Sequence, residues 1–226
     1  MKILLENWKD VFVSARKLTK ELIPMLNVKK LRCAIGFLAI LLPILVALLL
    51  WRIPPSISST YYTYEAGPVF MIILGSASIL LMYYDGYDRT DDILNTIAGV
   101  FGLMICLFPC DNKTMEYVGT FQIPVAVSSI VHNLSAIAFF ALLSYISMFQ
   151  FTKHGDMEMT RQKKARNVIY RVCGVGMLAS FLIMLIPKFY IQIWLVETIA
   201  LFFFGVSWLT KANAYRILFA DTIQND

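Results

Sequence analysis

Long apolar runs alternate along the chain with short charged or turn-rich segments, and the length of those runs decides the fold. A helix rises about 1.5 Å per residue, and the hydrocarbon core of a bilayer is about 30 Å thick. Six runs approach the length needed to cross it: 33–53, 68–84, 93–108, 123–151, 168–186 and 189–209. The third is short and carries Asn95 and Thr96, but its glycines and cysteine suit an inner helix held by its neighbours. The fourth is long enough to tilt or to project beyond the membrane. The pattern predicts an all-α, polytopic membrane protein, with six transmembrane helices over 31–212 and a tail over 213–226.

The segment before the first run has a different period. Leu4, Trp8, Val11, Ala15, Leu18 and Leu22 recur at spacings of four and three, with Lys9, Arg16, Lys17, Lys20 and Glu21 off that stripe and Pro24 ending it. This predicts a basic amphipathic helix within 1–30, lying on the inner leaflet with its lysines on anionic lipid. Packing against a second copy or a cytoplasmic partner is the alternative. The first apolar run begins near residue 33 behind this charged segment, unlike a signal peptide, so the first helix is expected to stay in the mature protein.

Charge then orients the helices. Lys2, Lys9, Arg16, Lys17, Lys20, Lys29, Lys30 and Arg32 precede the first run, and Lys153, Arg161, Lys163, Lys164, Arg166 and Arg171 lie between or at the edges of the fourth and fifth. The opposite side has Arg52, Lys113 and Lys188. The positive-inside rule places both termini in the cytoplasm and the chain in the cell membrane. The 226 residues are 58% hydrophobic and 15% charged, against about 25% charged in soluble domains. The net charge of +5 flanks apolar runs, so it reads as topology and contact with membrane lipids, not nucleic-acid binding. Tyr61, Tyr62, Tyr64, Tyr117 and Trp51 are expected in an outer aromatic belt, and Tyr83, Tyr84, Tyr87 and Trp208 in an inner one.

Ionisable residues inside a bilayer cost about 2.5–3.5 kcal/mol on insertion scales, so each one asks for a function. His132 and Glu197 lie about 12–13 Å into the fourth and sixth runs and share a depth in the outer half. Ser128, His132 and Ser135 share one helix face, and Ser76 reaches a similar level. One reading is an outward-facing polar pocket for a lipid or other amphiphile. The plainer one is a His132–Glu197 hydrogen-bonded pair that fixes packing, with serines as small contacts. An oligomeric pore or membrane effector is an alternative function, and a membrane-embedded hydrolase a third.

Enzyme chemistry finds little here. Two histidines, His132 and His154, fall on different sides of the membrane and cannot build a histidine-rich zinc site. A serine–histidine–glutamate set from Ser58 or Ser76 with His132 and Glu197 lacks a GxSxG elbow, and no phosphate-binding glycine loop is present. No cofactor or metal is expected. Cys33, Cys106, Cys110 and Cys173 form no CxxC and read as small packing residues. Asp85, Asp88, Asp91 and Asp92 make an acidic loop too short for calcium. Asp88 to Asp92 are expected to cap the third helix or to pair with the basic segment 161–171.

Several stretches carry a resemblance. They are 54–63 (PPSISSTYYT), Tyr84-Asp85-Gly86-Tyr87-Asp88, Val131-His132-Asn133 with Ala136, Phe139 and Phe140, Arg166-Asn167 with Tyr170, Cys173 and Gly174, and Glu197 with 204–211 (FGVSWLTK). Over most of 50–212 these resemble a family of bacterial six-helix membrane proteins. More distantly, the Pro-x-Ile-Ser loop and the His-Asn helix resemble the Frag1/DRAM/Sfk1 family of autophagy modulators and GPI-anchor remodelling factors. The resemblance implies a role near lipid handling or trafficking and marks Ser58, His132 and Asn133 as positions of interest.

Overall fold

The computed structural model describes residues 28–154, 158–184 and 193–213. The amphipathic helix expected within 1–30 falls almost wholly outside them, as does the tail 213–226 beyond Asn213. The described chain is helical: α1 (Val28–Leu50), α2 (Gly67–Met82), α3 (Arg89–Leu107), α4 (Val125–Tyr145), α5 (Arg161–Met184) and α6 (Ile193–Ala212). A single 3-10 turn, Ser58–Tyr62, precedes α2. A two-residue ribbon, β1 (Tyr117–Val118) against β2 (Ile123–Pro124), precedes α4. Its turn needs the left-handed backbone of Gly119 (φ 75°) and Gln122 (φ 49°).

Five of the helices are long and apolar enough to cross a membrane, and α2 is apolar but has 16 residues. At about 24 Å it falls short of the hydrocarbon thickness. The first, third and fifth expected runs begin earlier as helices, because their charged leaders (Lys29 to Arg32, Arg89 to Asp92, Arg161 to Arg166) are helical too. The long fourth run is α4 continued by a π turn, Ile146–Gln150.

Each helix packs on its neighbour in sequence, and α6 closes against α1, so the six form a ring. The closing seam is tight. A Cβ added at Gly205 would stand 2.7 Å from the Gly36 carbonyl oxygen, and one at Gly36 would stand 2.9 Å from that of Gly205. The α4–α5 side is held by hydroxyls: Ser144 and Ser147 donate to the Gly174 and Tyr170 carbonyls at 2.7 and 2.8 Å.

The ring interior is filled. Phe139 of α4 meets Phe204 of α6 across it, centroids 6.2 Å apart, and both are buried with Ile35, Phe70, Leu81 and Met177. The outside is equally apolar: Ile72, Ile130, Leu134, Val168 and Val175 are all exposed. Helices apolar on every side, with a bare hydrophobic girdle, are compatible with an integral multi-pass membrane protein.

The expected belts need one correction. Trp51, Tyr64, Tyr83 and Tyr87 are exposed, but Tyr84 and Trp208 are each only 1% exposed. They pack edge to face at 4.9 Å inside one end of the ring, where core packing outcompetes an interfacial position.

Candidate functional site

The loop end. Residues 51–66 and 108–124 close the end of the ring opposite the basic residues that precede α1. Ser56 and Ser59 bond reciprocally, each backbone N–H donating to the other's hydroxyl at 3.3 and 2.9 Å. This fixes the entry to the 3-10 turn as a capping box does for a helix. The next donors, Ile57 N–H and the Ser58 hydroxyl, both reach Glu197 of α6, the hydroxyl at 3.1 Å. One turn earlier, Trp194 N–H donates to the Pro55 carbonyl at 3.1 Å. The first turns of α6 therefore clamp the serine loop. Two of the sequence candidates, Ser58 and Glu197, are brought together.

Ser128 and His132 do something else. The last carbonyls of a helix have no partner within it. Ser128 Oγ donates to the Pro109 carbonyl at 2.7 Å, and His132 Nδ1 lies 2.8 Å from the Phe108 carbonyl oxygen, which makes Nδ1 the protonated nitrogen. Two side chains of α4, four residues apart, thus finish the C-terminus of α3. Tyr62 donates to the Cys110 carbonyl at 2.6 Å and ties the serine loop to the same segment.

The expected His132–Glu197 pairing is therefore replaced by separate partners, and no hydrogen bond joins the two among the described residues. Equal depth does not fix position around a ring, and α5 stands between α4 and α6. Ser135 is buried on the same face as His132. Ser76 is partly exposed on α2, and Asn133 is exposed on α4 away from the His132 face.

Two polar capacities remain at the loop end. A carboxylate can accept about four hydrogen bonds, and three donors engage Glu197: the Ile57 N–H, the Ser58 hydroxyl and the Ser58 N–H. Trp194 Nε1 is buried without a partner among the described residues, three residues away on the same helix. The sequence reading passed over Trp194. Its i, i+3 spacing to Glu197 was the available signal.

The basic end. Asp88 caps α3, its Oδ1 accepting Asp91 N–H at 2.9 Å while Oδ2 pairs with Lys153 at 2.6 Å. The cap was expected; the partner is Lys153, not the 161–171 segment. Asp91 is fully buried, accepts Tyr87 N–H at 3.0 Å and takes the Asn95 amide at 2.9 Å. Asp92 accepts Gly86 N–H at 2.6 Å. Backbone and amide donors engage these acids and fold the loop around them.

Beside this loop runs a chain of rings. Tyr84 meets Trp208 at 4.9 Å, Trp208 meets Phe151 at 5.3 Å, and Phe151 meets Tyr170 at 5.4 Å. Arg32 lies over Tyr84, Lys211 over Phe151 and Lys163 over Tyr170, at 5.3, 4.8 and 5.9 Å from the centroids. Ring faces attract cations, which explains how three come to share one partly buried place.

Two shallow grooves flank α4 on the outside of the ring. The larger, about 460 Å³, lies against α3 between Leu94, Ile97, Phe101 and Tyr145, where Ala138 and Ala141 leave the space. Both grooves are apolar, as a surface facing acyl chains would be. Comparison of the chain with protein families, with curated proteins and with solved structures finds no match.

Proposed function

We propose that the chain is a six-span membrane protein, with both termini on the cytoplasmic face, that binds a lipid or other amphiphile at its loop end. The reading is carried by one juxtaposition. Glu197 keeps about one acceptor position beyond its three donors, and Trp194, one turn away, has a buried donor without a partner among the described residues. A group that both donates and accepts, such as a headgroup hydroxyl, completes both. A carboxylate in an apolar helix with only neutral donors around it is costly to keep without such a use.

The other readings have less support. A pore through one ring needs a polar path, and the interior is filled by Phe139, Phe204, Phe70 and Leu81. A hydrolase built on Ser58 needs a base, and His132 is engaged with Phe108.

The test uses purified full-length protein and native mass spectrometry of co-purified lipid. Trp194→Phe removes only the donor, and Glu197→Gln keeps an acceptor for Ile57 and Ser58. Each is expected to lower lipid retention about fivefold to tenfold, the effect of one to two hydrogen bonds. Unchanged retention in both variants, with the fold intact, would overturn the proposal.

A further inference from the structure

At the basic end the charges do not balance. Lys211 stands within electrostatic reach of Arg32, Lys163 and Arg166, and of one acid, Asp91. Asp91 is already held by Tyr87 and Asn95. Arg166 donates to Asn213 at 2.6 Å, Lys163 to the Phe151 carbonyl at 2.9 Å and Arg32 to the Tyr84 hydroxyl at 3.1 Å, all neutral acceptors. Lys211 Nζ makes no hydrogen bond among the described residues; its contact is the Phe151 ring face. Arg32 Nε is buried and has no acceptor among the described residues. Among the described residues, four cations stand against Asp91 and Asp92, and two cationic groups are short of an acceptor, which describes a place waiting for an anion.

We propose that this cluster binds a phosphoryl group, held by Lys211, Lys163 and Arg32 at the mouth of the ring between α1, α5 and α6. The chemistry follows from the donors. A phosphate offers several charged oxygens, enough to serve an ammonium and a guanidinium together. The ring chain Tyr84–Trp208–Phe151–Tyr170 forms a floor that holds the cations in place before the anion arrives, so little ordering is left to do on binding. The site lies at the end where helices meet a leaflet surface, so the phosphate belongs to an acidic phospholipid headgroup or to a small soluble phosphate. The proposal is independent of the one at Glu197, at the opposite end.

Full-length protein in neutral detergent is titrated with phosphatidic acid and, separately, with phosphatidylcholine, and bound lipid is counted by native mass spectrometry. Phosphatidic acid is expected to bind at least about tenfold more tightly, as a charge-assisted contact predicts. Lys211→Gln should remove most of that preference, and Lys211→Arg should retain it. Lys163→Gln, nearer the surface, serves if the first variant does not fold. Gly75→Ala, where an added Cβ meets nothing within 4 Å, should leave it unchanged. Displacement by millimolar inorganic phosphate would assign the site to a soluble phosphate, and resistance to it would assign a lipid. Equal retention of the two lipids, or retention unaffected by both glutamine variants, would overturn the proposal.

Discussion

His132 Nδ1 lies 2.8 Å from the carbonyl oxygen of Phe108, so the imidazole closes the end of α3 from the side of α4. Removing it leaves a carbonyl unpaired and a hole in a buried face. His132→Ala is expected to cost about 2–3 kcal/mol, from the lost bond and the cavity together. Because Glu197 has other partners, the His132→Ala and Glu197→Ala effects should add within about 0.5 kcal/mol. A double-mutant cycle of denaturation in detergent checks this. Coupling well above that figure would mean the two side chains meet after all.

The α1–α6 seam depends on Gly36 and Gly205, which leave no room for a side chain. Gly205→Val should lower stability by about 2–3 kcal/mol through overpacking. Gly75 of α2 is the control, since nothing lies within 4 Å of a Cβ placed there. Gly75→Ala should be neutral or stabilise by about 0.5–1 kcal/mol by restricting the unfolded chain. The melting temperature of Gly205→Val should fall, and that of Gly75→Ala should hold or rise.

Asp88 links acidity to the fold. The Lys153 ammonium and the Asp91 N–H hold its carboxyl below the usual carboxylate range. A group whose pKa is lowered by folding stabilises the folded state above its unfolded pKa. That contribution is lost as pH falls through the lowered value. Wild type should therefore exceed Asp88→Asn in melting temperature at pH 7, and the gap should close at pH values below the ordinary carboxylate pKa of about 4. A gap that persists at pH 2 would show that the charge is not its source.

Orientation can be tested by single cysteines in a background lacking Cys33, Cys106, Cys110 and Cys173. A cysteine at Thr63 or Lys113 should react with an impermeant maleimide added outside cells, and one at Glu158 only after the cytoplasmic face is opened. Labelling of position 158 from outside would reverse the charge argument.

Reconstituted protein should not conduct small ions spontaneously, because the ring interior is aromatic and aliphatic. Single-channel currents in planar bilayers would favour an assembly with a path between copies.

The helical runs were legible because a helix in lipid needs length and apolarity, and both are written in one dimension. Helix starts were less so: the charged first turns of α3 and α5 read as loops, although Asp88 had the chemistry of a cap. Depth placed Glu197 and His132 at one level but could not show that one meets the serine loop and the other the end of α3. Tyr84 and Trp208 looked interfacial by position, and only packing shows them turned inward. The cation cluster draws on α1, α5 and α6, residues far apart in sequence, and so left no local signal.

Ring closure between α1 and α6 also bears on connectivity. Both described ends, near Val28 and Asn213, emerge at the same end of the bundle from adjoining helices. The order in which the helices are strung is then not unique to this packing. A circularly permuted chain, with a flexible linker joining the segment before Val28 to the segment after Asn213 and new termini opened at Lys113, would keep all six helix seams. The ring makes the protein's beginning a matter of synthesis and insertion, separate from the arrangement that holds it together.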